Sequence, residues 1–287
     1  MKRKIWEMIR DGQIEGKKWF VFIDTDTYVE WDNLLALLEH FDPSKKIFIG
    51  SPVWLPKLEF AHGGSAYVLS YGALEALNKP SKELEEEGPM YSQYGVNVTA
   101  LCCGDEALAV ALKQKGVRLK GYWPMFNGEV PSTLAFGREL WCEPVISLHH
   151  VSGKYMEDLR GWVEDWKART MNMSPLLFKD LFAYISPLLT ATREDWENIE
   201  EAPPENTKTS YKSFEYCKAA CEADKRCFQF VFHGTTCALS HTIRLGRERL
   251  PENEGDDRYF SGWNMERIRE WTSKTECENA HWVQSNP

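Results

Sequence analysis

Two aspartates one residue apart, Asp24 and Asp26, close the run Lys17-Lys18-Trp19-Phe20-Val21-Phe22-Ile23. That run reads as a strand buried on both faces, and the acidic pair marks where the chain leaves the sheet. Hard divalent cations take carboxylate oxygens as ligands. Open α/β sheets bind ligands beyond the C-terminal ends of their strands. An Asp-x-Asp at that place therefore suits a cation that bridges the oxygens of a departing diphosphate. The tripeptide is common by itself. Its weight comes from the apolar strand before it and from Thr27-Tyr28-Val29 after it.

Three further stations could join this chemistry. Gly63-Gly64, in FAHGGSAYVLS, either lets backbone approach a ligand closely or makes a tight turn before a strand. His62 and Ser65 line the same turn and receive no role. Asp105-Glu106 opens the helix of CGDEALAVAL, where acids are favoured by the helix dipole. One of them could instead be a general base, taking the proton of a hydroxyl as its oxygen attacks. His149 and His150, in SLHHVS, offer imidazole nitrogens. Neighbouring strand residues point to opposite faces, so only one of the pair should reach a metal.

The elements that must position these residues alternate between strand and helix. A helix is expected over 28–41, with Trp31, Leu34, Leu35, Leu38 and Phe41 at helical spacing, then short strands at 47–50 and 66–69. Helices follow over 70–78 and 104–115, the latter stopped by Gly116, with a long loop over 83–100 between them. Strands at 118–123 and 145–151 and a Trp-rich helix over 154–169 complete an α/β sheet. Trp54, Trp123 and Trp141 could stack on a sugar, but with 12 Trp in the chain they stay unassigned.

Beyond Trp196 the composition turns polar and proline-containing, which sets a first domain at 1–196, a linker at 197–210, a second domain at 211–263 and a tail at 264–287. Four of the eight cysteines, Cys217, Cys221, Cys227 and Cys237, crowd into the second domain. A zinc site is the rival reading, but the aromatic run FQFVF and an oxidising setting favour disulfides. Cys102 and Cys103 precede the acidic pair, Cys142 lies near the last strand, and Cys277 could tie the tail down.

Bulk composition narrows the function classes. With 34 basic and 43 acidic residues the net charge is -9, and no basic stripe runs along the chain, which argues against nucleic acid as a partner. Apolar runs such as Trp19–Ile23 are far shorter than the ~20 residues that cross a bilayer. Sequons at Asn97 and Asn172 are compatible with the secretory route, yet Met1-Lys2-Arg3-Lys4 leads into no apolar signal segment.

WFVFIDTDTYV, the Gly-Gly turn, CGDEALAVAL and SLHHVS, in that order over roughly residues 17–170, resemble the signatures of the Fringe and core 1 β1,3-galactosyltransferase-like family. The resemblance implies a GT-A (Rossmann-like) fold and an inverting, manganese (Mn2+)-dependent transferase. It would move a hexose, galactose or an N-acetylhexosamine, from a UDP-sugar to a glycan or glycoprotein hydroxyl in β1,3 linkage. It also implies a type II membrane protein of the Golgi lumen, and here the anchor and first strands would lie in a missing N-terminal segment, making the domain partial. By resemblance Asp24 lies near the ribose or metal, Asp26 and His149 ligate the metal with His150 as the rival, and Gly63 and Gly64 line the sugar site. The second acid, Glu106, falls at the base position rather than Asp105, although the family usually has Asp there. The second domain resembles a PAN/apple module, which implies Cys217–Cys237 and Cys221–Cys227 pairing. A non-catalytic, chaperone-like or binding protein that keeps the fold is the competing expectation.

Overall fold

The computed structural model describes residues 8, 11, 13–56, 58–78, 101–171, 174–199, 209–210, 212–253 and 257–283. The expected 83–100 loop and the sequon asparagines Asn97 and Asn172 lie outside them. The chain forms two compact units, one of Met1–Gly128, Val145–Met156 and Trp282–Pro287, the other of Glu129–Pro144 and Glu157–His281.

In the first unit, β1 (Trp19–Phe22) is followed by β2 (Tyr28–Val29), α1 (Trp31–Leu38), β3 (Phe48–Gly50), the hairpin β4 (Pro52–Leu55) and β5 (Leu58–Ala61), β6 (Tyr67–Ser70) and α2 (Tyr71–Asn78). Then come α3 (Gly104–Gln114), β7 (Leu119–Gly121), β8 (Ser147–Leu148) and the start of α4 (Gly153–Arg169). Four strands make one mixed sheet in the order β1-β6-β3-β7, antiparallel except for β3 with β7.

Strand β1 corrects the expectation of a strand buried on both faces. All four of its residues are only half-buried, because it lies at the sheet edge with β6 as its one partner, and the fully buried strands are β3 and β6. Its alternation is still plain, since Phe20 and Phe22 pack into one core and Trp19 and Val21 into another. The first core holds Leu74 and Leu77 of α2 and Leu108 and Leu112 of α3; the second holds Leu34, Leu37 and Leu38 of α1 with Met125, Phe126 and Ile146. Helices thus cover both sheet faces, an α/β layering.

The helix expected from residue 28 starts later. Tyr28 and Val29 instead pair antiparallel with Leu148 and Ser147, and Glu30 is extended at the helix entrance. Aromatic and β-branched residues suit that ladder. The expected 145–151 strand shrinks to Ser147–Leu148, since the residues after it turn sharply at His150.

The second unit contains most of α4, then α5 (Phe178–Ile185), β9 (Thr192–Glu194), β10 (Trp196–Glu197), β11 (Thr209–Ser210), α6 (Phe214–Ala223), β12 (Gln229–His233), β13 (Thr236–Ser240), β14 (Arg247–Glu248), β15 (Tyr259–Trp263) and α7 (Met265–Lys274). An antiparallel five-stranded sheet runs β11-β13-β12-β15-β9, so its edge strand comes from upstream of the expected linker. Disulfides Cys217–Cys237 and Cys221–Cys227 staple α6 to this sheet, and Cys142–Cys277 fastens the segment after α7. Within the expected tail, Arg267 of α7 donates to the carbonyls of Cys221, Glu222 and Asp224 at the end of α6 and to that of Cys227 just before β12. A cation there satisfies carbonyls the helix leaves unpaired. Among the described residues no helix is long and apolar enough to cross a membrane.

One carboxyl of this unit makes its stability pH-dependent. Among the described residues Oε2 of Glu143 is buried with no hydrogen-bond partner, and burial pushes the group up from 4.5 to about 7. The folded protein therefore holds a proton that the unfolded chain releases near pH 4.5, so this contribution is present below that pH and is lost as pH rises through 7. Because the side chain keeps part of its hydration, the cost above pH 7 is about 1 kcal/mol, not the full desolvation penalty. Glu143→Gln should raise Tm at pH 8 by ~2–4 °C and little at pH 4.5, read by thermal denaturation across that range. A parallel offset at both pH values would contradict this.

Candidate functional site

The acidic turn after β1 is organised by a residue the sequence reading passed over. The Thr27 N–H donates to the Asp24 carbonyl (3.2 Å), and the Asp24 N–H donates to Thr27 Oγ1 (3.1 Å). The buried Thr27 hydroxyl donates in turn to the Gly64 carbonyl (2.9 Å). The Val151 N–H donates to the Asp26 carbonyl (2.9 Å), which ties the same turn to the chain just past the two histidines. Asp24 is left exposed and Asp26 half-buried. A threonine directly after the acidic pair was the available signal, but its hydroxyl's target lies 37 residues away.

Gly63 and Gly64 form a short 3-10 turn between β5 and β6. A Cβ on Gly63 would stand 2.5 Å from Asp105 Oδ2, and one on Gly64 would overlap the His149 imidazole. Of the two expectations for these glycines, the tight turn before a strand is present, and the space freed by the missing side chains is filled by two of the site's own residues. The Gly63 N–H donates to Asp105 Oδ2 (2.9 Å), and the Ser147 hydroxyl donates to the Ser65 carbonyl.

Both histidines reach Asp26. His149 Nε2 lies 3.4 Å from Asp26 Oδ1 and His150 Nδ1 3.7 Å from Oδ2, and one donor atom from each of the three residues falls within a 4.8 Å span. This corrects the expectation that neighbouring residues face opposite ways. His150 has φ 58°, which breaks strand alternation and brings the two rings to 3.9 Å, centroid to centroid. Burial depresses the His149 pKa, His150 adds to the effect, and Asp26 opposes it. Its Nδ1 is buried without a hydrogen-bond partner among the described residues. A neutral imidazole is the ligating form, so one carboxylate and two imidazoles fit a divalent cation. Asp24 lies outside this group of three.

The two acids of α3 have parted roles. The Glu106 carboxylate accepts from the Cys102 N–H (2.7 Å), as a first-turn acid does, and Cys103 is the N-cap residue. Asp105 faces the glycine turn, half-buried. Burial raises its pKa, the Gly63 N–H lowers it, Asp24 raises it further and His62 lowers it. Cys102 and Cys103 are paired to each other beside this turn. Of the tryptophans, Trp54 and Trp123 are exposed, while Trp141 is buried and donates its N–H to the Thr275 carbonyl.

Residues 3–94 match the family model described as Fringe-like. The matched segment contains the acidic turn and the glycine turn, and it makes the chain similar to glycosyltransferases of that general kind.

Gly64 is the position on which the metal-facing geometry turns. Gly64→Ala should displace His149 and weaken the binding of a divalent cation held by Asp26, His149 and His150, tested with manganese, ~10- to 100-fold, the size expected when support of a ligand is lost. In α4, Gly161 has open space around its Cα, and Gly161→Ala should leave binding unchanged. Titration calorimetry with manganese reads both, and an unchanged affinity in Gly64→Ala would remove His149 from the ligand set.

Proposed function

We propose that this chain is an inverting, metal-dependent glycosyltransferase that moves a hexose, galactose or an N-acetylhexosamine, from a UDP-sugar to a glycan hydroxyl in β1,3 linkage. The observation that carries the reading is the packing of His149 and Asp105 against one glycine turn, with Asp26 and His150 gathered at His149, in a chain whose segment 3–94 matches a Fringe-like model. Asp26, His149 and His150 would hold the cation, manganese by the resemblance, which when bound neutralises charge on the nucleoside diphosphate.

The remaining chemistry falls to the chain's own groups. Inversion is a single displacement, so one carboxylate must take the acceptor proton as the hydroxyl oxygen attacks the anomeric carbon. Asp105 suits that role: burial raises its basicity, and the Gly63 N–H fixes one oxygen so that the other can accept. Glu106, the residue favoured from sequence, is likewise held by one N–H, that of Cys102, and what sets Asp105 apart is its contact with the glycine turn. Asp24, exposed at the turn, would by the resemblance serve the nucleotide side. The stapled helix-on-sheet arrangement supports reading the cysteine-rich part of the second unit as a PAN/apple-like module, and its disulfides suit the lumen of the secretory pathway, the Golgi by resemblance.

Purified chain given manganese and UDP-sugars should show transfer to glycosides, or UDP-sugar hydrolysis in their absence. Asp105→Asn should lower kcat by ~10²–10⁴ with manganese affinity kept, whereas Asp26→Ala should lose manganese binding and activity together. A wild-type chain that showed no transfer and no hydrolysis would sink the reading.

A further inference from the structure

His62, immediately before the glycine turn, is half-buried, and its Nδ1 lies 2.7 Å from Ser65 Oγ. The backbone of Gly128 closes over this pair: a Cβ there would stand 3.3 Å from Ser65 Oγ and 3.5 Å from His62 Cε1. The imidazole is thus held on two sides. Its ring meets that of His149 edge-on, centroids 5.5 Å apart, and the N–H of the next residue, Gly63, holds Asp105. His62 accordingly lies beside the imidazole that faces Asp26 and adjoins in the chain the N–H that holds the acid. Nε2 has no hydrogen-bond partner among the described residues, and it is not among the sealed, unpartnered buried atoms.

Holding an aromatic side chain in one orientation costs conformational entropy. The hold is productive where the fixed polar atom meets something. In a sugar-transfer site the polar groups around the reacting carbon and oxygen are sugar hydroxyls, which an imidazole nitrogen can serve as donor or acceptor. We infer that His62 is a substrate-contacting residue whose Nε2 hydrogen-bonds a sugar hydroxyl beside the reacting centre, and that Ser65 is the positioning residue that sets its ring. The inference rests on the glycosyltransferase reading.

The test uses the whole chain with manganese, with UDP-galactose and UDP-N-acetylhexosamines as donors and a panel of p-nitrophenyl glycosides as acceptors. His62→Ala should lower kcat/KM roughly 10- to 100-fold, the range expected for a lost hydrogen bond to substrate, with manganese affinity by calorimetry within about twofold of wild type. Ser65→Ala should cause a smaller loss in the same direction, and His62→Gln should recover part of it. A raised acceptor KM with unchanged donor hydrolysis assigns the hydroxyl to the acceptor. A parallel loss of hydrolysis assigns it to the donor sugar. If His62→Ala transfers like an active wild type, or if its manganese affinity falls in step with its activity, the assignment is overturned while the glycosyltransferase reading stands. If the wild-type chain neither transfers nor hydrolyses, both fall.

Discussion

A single buried hydroxyl holds the site in register. Thr27 Oγ1 accepts from the Asp24 N–H and donates to the Gly64 carbonyl, so the acidic turn and the glycine turn are fixed to each other inside the fold. Everything else is hung from one of those turns. Gly64 leaves room for His149, Gly63 engages Asp105, and the Asp26 carbonyl receives the N–H that follows His150. A valine at 27 would match the shape but leave the Gly64 carbonyl and the Asp24 N–H without this partner, a cost of about 1–3 kcal/mol for each group that stays buried.

The segment bearing the histidines has no long strand to stiffen it, and short contacts take over that work. The Glu30 N–H donates to the Ile146 carbonyl (2.8 Å), Asn33 Nδ2 donates to the Val145 carbonyl (2.8 Å), and Tyr28 and Val29 pair with Leu148 and Ser147. These bonds all precede His149. The backbone is therefore pinned up to the point where His150 enters the left-handed region, and that local strain is set against a firmly held neighbour. The electrostatics agree with such an enclosed place. Burial moves Asp105 up and His149 down, each toward its uncharged form, so a cation bound by Asp26 would offset part of the desolvation of its surroundings.

Local pattern carried far into this fold and stopped at definite points. The apolar run before Asp24, the helix ending at Gly116 with φ +70° and the spacing of Cys217 and Cys221 on α6 are local signals, and the elements stand where those signals put them. The edge position of β1 was not legible, because its partner β6 arrives more than 40 residues later and which strands flank it is a tertiary fact. Both histidines facing Asp26 was hidden by the assumption of unbroken strand geometry, which one backbone torsion undoes. The parting of Asp105 from Glu106 follows from the helix's first turn. The residue at the third helical position reaches back to a free N–H, while the one before it points toward whatever lies ahead of the helix.

Apolar burial supports most of both units, and one part of the second depends on something else. The first has a sheet with apolar side chains entering a core on each face, enough to bury Phe48, Ile49, Val68 and Leu69 almost completely. In the second, Phe136, Phe178, Leu181 and Ile185 are buried as fully, but the separate cluster beneath α6 consists of Phe230 and four cysteines, with Phe214, Phe232 and Leu239 at its margin. An apolar cluster that small yields little transfer free energy, so covalent bonds that restrict the unfolded chain substitute for it. Arg267 completes the substitution. By answering the carbonyls of Cys221, Glu222 and Asp224 at the end of α6, and that of Cys227 across the disulfide, it satisfies backbone that the end of the stapled helix would leave open. The Cys221–Cys227 bond and the Arg267 contacts thus act on the same turn of chain, one limiting its unfolded conformations and the other satisfying its folded one.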